Sequence, residues 1–149
     1  MLGYALAAAA GAFAFTVMFQ TVAYQSAAAD TTQTAALAGN MLNYSQRVAA
    51  YAAANPATSG AVPDSALSLP TWYQKAPGVF NYVDAGYPYV YLPGTQPGLP
   101  TAIVTVSKAT VHVGIKAGAS IALPAGQPGF PLARPLPAVI PDGATVIVP

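Results

Sequence analysis

The side chains of this chain that could take part in catalysis are few, because its 149 residues include one histidine, four carboxylates and no cysteine. His112 falls on the outward phase of a predicted strand, with no cysteine or glutamate to complete a metal site. The carboxylates all fall at predicted caps or turns, where aspartate is common for structural reasons; they are Asp30, Asp64, Asp84 and Asp142. A Ser-His-Asp combination can be chosen from the sequence, but it lacks any motif context. We therefore expect no enzymatic activity, no cofactor and no small-molecule substrate.

The chain carries too few charged residues to suggest a strongly charged partner. Charged residues make up 6% of the sequence, and the net charge is +1. Nucleic acids and acidic surfaces are bound by clusters of lysine and arginine, so we expect no nucleic-acid partner. The absence of cysteine also excludes disulfides and thiolate metal sites.

The amino-terminal stretch, residues 1–29, predicts a transmembrane anchor. It carries no charged side chain, and from Leu2 to Tyr24 its one strongly polar residue is Gln20. Tyr4 and Tyr24 are separated by about 30 Å of helix, which places both rings at the headgroup layers. A cleaved secretory signal is the alternative, because small residues at 27–29 precede the first charge. We expect a single-pass membrane protein whose remaining chain lies outside the cytoplasm.

Small residues recur every four positions on the predicted anchor, at Gly3, Ala7 and Gly11. Such spacing lets two helices approach closely in lipid, and it predicts a face for self-association or for a partner helix. In an alanine-rich helix the same spacing also arises by chance.

The next segment, residues 30–55, predicts an amphipathic helix. Its apolar residues step by three or four positions and form one stripe: Leu37, Met41, Tyr44, Val48 and Tyr51. Asn55 and Pro56 end the helix, because proline cannot continue it and restricts the preceding residue. The stripe packs either on the chain's own carboxy-terminal domain or on a partner helix, and the sequence leaves this open.

Residues 56–149 predict a small, mostly antiparallel β domain with proline-rich loops. All 15 prolines follow Asn55. Strands are predicted at 79–83, 87–92, 101–107, 109–116, 120–123 and 144–148. The first two form a hairpin, and Pro88 predicts that the second strand lies at a sheet edge. Residues 124–141 carry too many prolines for a central strand and predict an irregular segment.

Two groups of aromatic residues are candidate binding surfaces. Trp72 and Tyr73 are expected to pack on the core, together with Leu67 and Leu69, and would indicate a binding surface if exposed. Three further tyrosines alternate along one predicted strand and share a face: Tyr87, Tyr89 and Tyr91. Such a row binds sugars or proteins in some domains and covers a sheet edge in others.

The complete order, an anchor, an amphipathic helix and then a small β domain, predicts an α+β fold with the layout of pilin-like proteins. Three segments resemble the PilM family of plasmid-type type IVb pilus systems. They are MLNYSQRVAAYAAANP (41–56), SALSLPTWYQKAPGVFNYVDAGYPYVYLPGTQPGLP (65–100) and IPDGATVIVP (140–149). The resemblance implies a small, single-pass protein of the bacterial inner membrane with its carboxy-terminal domain in the periplasm. It also implies a place in the basal body or the pilin transport apparatus of conjugative thin pili. It supplies no functional residues to carry over.

Two hypotheses about function follow from this resemblance. The first is a non-enzymatic component of the pilus machine that contacts other assembly proteins or pilin. The second is a minor pilin or tip-associated binding module, with Trp72 and the tyrosine row as an adhesive patch. A periplasmic hydrolase is a remote third.

Overall fold

The computed structural model describes residues 30–124, 132 and 134–148. The chain divides into two compact units, Met1–Gln33 and Thr34–Pro149. The predicted anchor, with its Gly3, Ala7 and Gly11 face, lies outside the described residues. Among the residues that are described, no helix is both long enough and apolar enough to cross a membrane.

Helix α1 covers residues 30–54 and ends where the sequence predicts. At its end, the Asn55 side chain donates to the Tyr51 carbonyl at 2.9 Å, and Pro56 follows. On its apolar stripe, Met41 and Val48 are fully buried in the core of the Thr34–Pro149 unit. Tyr44 is equally buried, while Leu37 and Tyr51 pack partly against the same core. Of the two alternatives for the stripe, packing on its own domain is the one observed.

Five antiparallel strands form one sheet in the order β1-β2-β5-β3-β4. The strands are β1 (Phe80–Asp84), β2 (Tyr87–Leu92), β3 (His112–Ala117), β4 (Ser120–Ala122) and β5 (Thr145–Val148). The carboxy-terminal strand β5 is central because it joins the β1-β2 hairpin to the β3-β4 hairpin. The hairpin turn at Ala85 and Gly86 has positive φ at both residues, 47° and 80°. A side chain at Gly86 would also lie 2.9 Å from the Pro56 carbonyl oxygen, so this turn requires glycine.

The strand predicted at 101–107 is wrong, since this segment is helix α2 (Leu99–Ser107). Its content of β-branched residues favoured a strand. However, Leu99, Ile103 and Ser107 recur every four positions and are all buried, which is the period of a helix. Pro100 lies in the first helical turn, where a missing N–H costs nothing. Packing of the buried face onto the sheet overrides the local propensity.

The predicted edge position of β2 is also wrong, because β2 pairs with both β1 and β5. Pro88 is tolerated in this inner strand because its nitrogen faces no paired strand. Strand β5 pairs with residues 90–92 of β2, so Pro88 has a neighbouring strand on one side. Val83, opposite Pro88, exchanges its backbone hydrogen bonds with Gly60 and not with β2. The nitrogen of Pro88 therefore points away from β1, where no strand needs its missing proton.

The two faces of the sheet are covered by different layers. Helices α1 and α2 pack on one face through a core that includes Met41, Ile103 and Val90. On the opposite face, Leu136 and Ile140 of the proline-rich segment pack against a second core. The described part of this segment contains no helix or strand, as its prolines predict.

A polar cluster lies inside the interface between α1 and the sheet. The Tyr44 hydroxyl donates to Asp64 and accepts a hydrogen bond from the Asn81 amide at 2.6 Å. The Asn81 side chain also accepts from the Val62 backbone N–H and donates to the Val62 carbonyl, each at 2.8 Å. Lys75 forms an ion pair with Asp64 at 2.7 Å. The loop between α1 and β1 is thereby fixed to both elements.

The same loop covers the outer edge of β1. Gly60 and Val83 exchange two backbone hydrogen bonds, and two residues further along the loop Val62 is held by the Asn81 side chain. The two bonds to Gly60 occupy the backbone groups of Val83 that another strand would otherwise pair with, and Val62 lies beside Asn81. Addition of a partner strand is therefore blocked at this part of the edge.

The polar cluster predicts how stability depends on pH. Burial alone would raise the pKa of Asp64, but the hydrogen bonds from Lys75 and Tyr44 outweigh it and hold this pKa below its ordinary value of 3.8. The unfolded chain then binds this proton at higher pH than the folded chain does. The stabilisation is present above pH 3.8 and is lost as the pH falls towards the folded-state pKa.

We therefore expect Asp64→Asn to lower the free energy of unfolding at pH 7 and to flatten its decline between about pH 5 and pH 2. Urea denaturation followed by far-UV circular dichroism measures both effects. Lys75→Met should reproduce part of the change, because it removes one of the two interactions. An Asp64→Asn variant with the wild-type stability and the wild-type pH profile would contradict this assignment.

Candidate functional site

The aromatic residues predicted as one surface lie on two different faces of the sheet. Trp72 contacts Tyr73, which packs against the core on the helix side. Tyr89 and Tyr91 belong to the core on the opposite side. Trp72 was expected in the core, yet 74% of it is exposed. The structure thus offers two separate candidate surfaces.

The first candidate is the tryptophan surface, which is Trp72 with the α1 and loop residues around it. Its position depends on Asn40 of α1. The Tyr73 hydroxyl lies 2.9 Å from the Asn40 side-chain oxygen, and that oxygen also accepts from the Ala76 N–H at 2.9 Å. The Asn40 amide donates to the Gln74 carbonyl at 2.7 Å. The half-buried Asn40 therefore holds the loop that carries Trp72 against α1.

Ring contacts complete the support of Trp72. Its indole meets the Tyr73 ring edge-on, with 6.2 Å between centroids. The Tyr73 ring in turn stacks on Tyr44, with 6.4 Å between centroids and an interplanar angle of 7°. Burial, together with the charge of Asp64, raises the pKa of Tyr73 to about 12, so its hydroxyl keeps its proton at physiological pH. Trp72 is accordingly an exposed ring on a rigid, aromatic base.

Two adjacent grooves include Trp72 in their linings. The smaller encloses about 60 Å³ and is lined by Asn43, Gln46, Arg47, Leu69 and Pro70. The larger is an open groove of about 490 Å³ lined by Ala36, Gly39, Asn40, Asn43 and Gln74. Tyr73 borders both of them. The polar side chains of the two linings, apart from the aromatic residues, are four amides and one charged residue, Arg47.

The second candidate is the hairpin face, which consists of Phe80, Tyr82, Tyr87 and Tyr91 on the side of β1 and β2 away from the helices. Phe80 stands opposite Tyr91 in the ladder and stacks on it, with ring centroids 5.7 Å apart. Phe80 is 48% exposed and Tyr87 is 46% exposed. Arg134 lies over the Tyr87 ring at 4.4 Å from its centroid. This face is a mainly apolar, partly exposed patch.

Tyr89, in the middle of the predicted tyrosine row, is not part of the exposed surface. It is 2% exposed and packs in the core beneath the proline-rich segment. Burial, reinforced by the charge of Asp84, raises its pKa above the ordinary value. The period-2 pattern predicted correctly which residues share a face, but not which of them a covering segment would bury.

The ionisable side chains of the described residues do not gather into one site. Asp64 pairs with Lys75, and Asp142 pairs with Lys116 at 3.0 Å. His112 is exposed on β3. Within the described part of the chain, no group of three or more His, Cys, Asp or Glu side chains could hold a metal ion.

Two residues of these surfaces were not singled out from the sequence. Phe80 could have been found, because it alternates with Tyr82 and pairs across the predicted hairpin with Tyr91. Asn40 carries no such signal. Its partners, Tyr73 and Ala76, are distant in the sequence, and the contact exists only after the loop folds onto α1.

The chain is similar to proteins of one family, both in sequence and in fold. The sequence model of the PilM family matches residues 6–148. A crystal structure of a protein described as PilM from Pseudomonas aeruginosa 2192 is 35% identical, covers 78% of this chain and 93% of its own, and has a TM-score of 0.50. One from Escherichia coli B7A is 21% identical, with 78% and 90% covered and a TM-score of 0.58, and shares the fold. No curated protein matches the sequence.

The geometry of the tryptophan surface predicts a contrast between two neighbouring residues. Trp72→Ala should change the free energy of unfolding by less than about 0.5 kcal/mol, because most of the ring is already in water. Tyr73→Ala should cost about 2–3 kcal/mol, because it removes a packed ring and the hydrogen bond between its hydroxyl and Asn40.

Urea denaturation followed by far-UV circular dichroism tests this contrast without relying on tryptophan emission. Tyr73→Phe, which keeps the ring and removes the hydroxyl, should fall between the two. A large loss of stability in Trp72→Ala would mean that the indole serves the core.

Proposed function

This chain belongs to the PilM family, and we propose on that basis that it is a non-enzymatic component of a type IVb pilus assembly machine. It acts by protein–protein contacts in the basal body or in the pilin transport apparatus. Its partners are other pilus assembly proteins or pilin. No step of this role requires a cofactor or a small-molecule substrate.

The observation that carries the proposal is the exposed aromatic pair on the hairpin face. Phe80 and Tyr91 stack on each other beside the partly exposed Tyr82 and Tyr87. Aromatic side chains with this exposure are typical of interface centres, where they bury a large area at little cost in rotamer entropy. The outer edge of β1 is covered by the loop at residues 60–62, so a partner would engage side chains and not the strand edge.

Membrane attachment is the second part of the proposal. Residues 2–29 contain no charged side chain, and their length suits one membrane-spanning helix. We infer that they anchor the protein in the inner membrane and that the β domain lies in the periplasm. Close helix contacts through Gly3, Ala7 and Gly11 would then support a homo-oligomer or a partner in the bilayer. The two aromatic surfaces would both face an aqueous compartment.

A second candidate function is a minor pilin or a tip-associated binding module. The exposure of Trp72 favours it, because an adhesive subunit needs a ring that is free to meet a ligand. The two functions differ in location. An assembly component stays in the inner membrane, whereas a minor pilin is found in the pilus itself.

The proposal predicts that a photo-crosslinking amino acid at Tyr91 captures a pilus protein in assembling cells. Adding Phe80→Asp should weaken this capture about tenfold, because a buried charge at the interface centre would be left unpaired. Val106→Asp is the matched control, since Val106 on α2 is also 48% exposed. Western blots of the crosslinked species, in membranes and in sheared pili, provide the measurement.

Equal crosslinking in the Phe80→Asp and Val106→Asp variants would contradict contact through the hairpin face. Crosslinking that persists in cells without the other pilus genes would also contradict it. Recovery of the crosslinked protein in sheared pili would favour the minor-pilin role over the assembly role. Wild-type circular dichroism of each variant shows that the fold is intact.

A further inference from the structure

We propose that the tryptophan surface binds a linear β-linked glycan whose sugars carry N-acetyl groups, with one sugar ring stacked on Trp72. This site is independent of the hairpin face and of the proposed pilus role. The proposal gives a role to the indole of Trp72, whose exposure the packing of the domain does not require.

The indole of Trp72 is presented as a fixed platform. It is 74% exposed, yet its neighbour Tyr73 is held by Asn40 and stacked on Tyr44. The loop backbone beside Trp72 is thereby anchored, so a ligand that stacks on the indole has little of the loop to order. A β-linked pyranose offers a flat face of C–H groups, and this apolar face covers an aromatic ring well. Burying the two faces against each other removes apolar surface of both from water.

The side chains around the indole distinguish a sugar from a protein as the ligand. Asn43 and Gln46 line the smaller groove and are exposed, and Arg47 lies beside them. Amides donate and accept hydrogen bonds at once, which matches hydroxyl and N-acetyl groups. The hairpin face, in contrast, surrounds its exposed ring with further aromatic rings. An apolar surround suits a protein interface, whereas an amide surround suits a polar ligand with an apolar face.

The two grooves favour a chain of sugars over a single one. They are adjacent, because both linings include Trp72, Asn43 and Tyr73. The larger groove, at about 490 Å³, is a broad and open depression, so it can receive a sugar without enclosing it. Gly39 keeps this groove open, since a side chain there would project into empty space. A glycan could therefore stack one sugar on the indole and extend a neighbouring sugar into each groove.

The charges of the surface are also compatible with such a ligand. Neither groove is lined by a carboxylate, and Asp64 of the same loop is paired with Lys75. Arg47 can donate hydrogen bonds to hydroxyl or carbonyl oxygens with a delocalised, weakly hydrated cation. A neutral N-acetylated chain meets no repulsion here.

The sequence provides a clean reporter, because Trp72 is its single tryptophan. The experiment titrates the 149-residue chain, in a detergent without a sugar headgroup, with the β-1,4-linked tetramer of N-acetylglucosamine. We expect a saturable change in tryptophan emission. In the double variant Asn43→Ala, Gln46→Ala the apparent affinity should fall about tenfold, because hydrogen bonds to the sugar are lost while the reporter remains.

Isothermal titration calorimetry extends the test to Trp72→Ala, which should lose binding, and to Trp72→Phe, which should retain part of it. Phe80→Ala is the control for an exposed aromatic residue on the other face, and its affinity should equal that of the wild type. Maltotetraose, an α-linked chain without N-acetyl groups, should not bind. Unaltered circular dichroism confirms that each variant is folded.

Any of three results would overturn the proposal. They are the absence of a saturable change, an equal response to maltotetraose, or an unchanged affinity in the double variant. A photo-crosslinker at position 72 that captures a protein, with no response to the glycan, would assign the surface to a protein partner instead. None of these results bears on the hairpin face, so the proposed pilus role stands or falls separately.

Discussion

The structure depends on how α1 is joined to the sheet through Tyr44. This residue is fully buried, and its hydroxyl is shared between Asp64 of the loop and Asn81 of β1. Burial, together with the hydrogen bond to Asp64, raises its pKa well above the ordinary value, so the hydroxyl stays a neutral donor. Tyr44 and Asn81 are buried with their polar groups hydrogen-bonded, and such a network fixes one arrangement of helix, loop and strand. The position of both candidate surfaces depends on this cluster, because the cluster orders the loop between α1 and β1. That loop carries Trp72 and lies along the outer edge of β1.

The two exposed aromatic surfaces have different chemistry although both lie on the same small domain. The hairpin face is continuous with the core beneath the proline-rich segment, and its neighbours are aromatic. The tryptophan surface has four amides and a guanidinium in the linings of its two grooves. Since the sheet separates the two surfaces, each could bind its own ligand without competition. The ionisable groups, in contrast, serve local ion pairs and turns.

Much of the fold could be predicted from local patterns. The amphipathic stripe of α1, its end at Asn55 and the hairpin are each specified by a periodicity or by a turn residue. The wrong predictions have a common cause, because in each case contacts between residues distant in the sequence determine the structure. Segment 101–107 is rich in β-branched residues but becomes helical because Leu99 and Ile103 must face the core together. The exposure of Trp72 depends on the contact between Asn40 and Tyr73, which no local pattern encodes.

We propose that the hairpin face is the surface that contacts the pilus machine. Oxidative footprinting with mass spectrometry, on native membranes from assembling cells and from cells lacking the other pilus genes, can detect this contact. We expect oxidation of Phe80 and Tyr87 to be reduced when the machine is present, and oxidation of Val106, which has the same exposed fraction as Phe80, to be unchanged. Equal oxidation of Phe80 and Tyr87 in both membranes would contradict it.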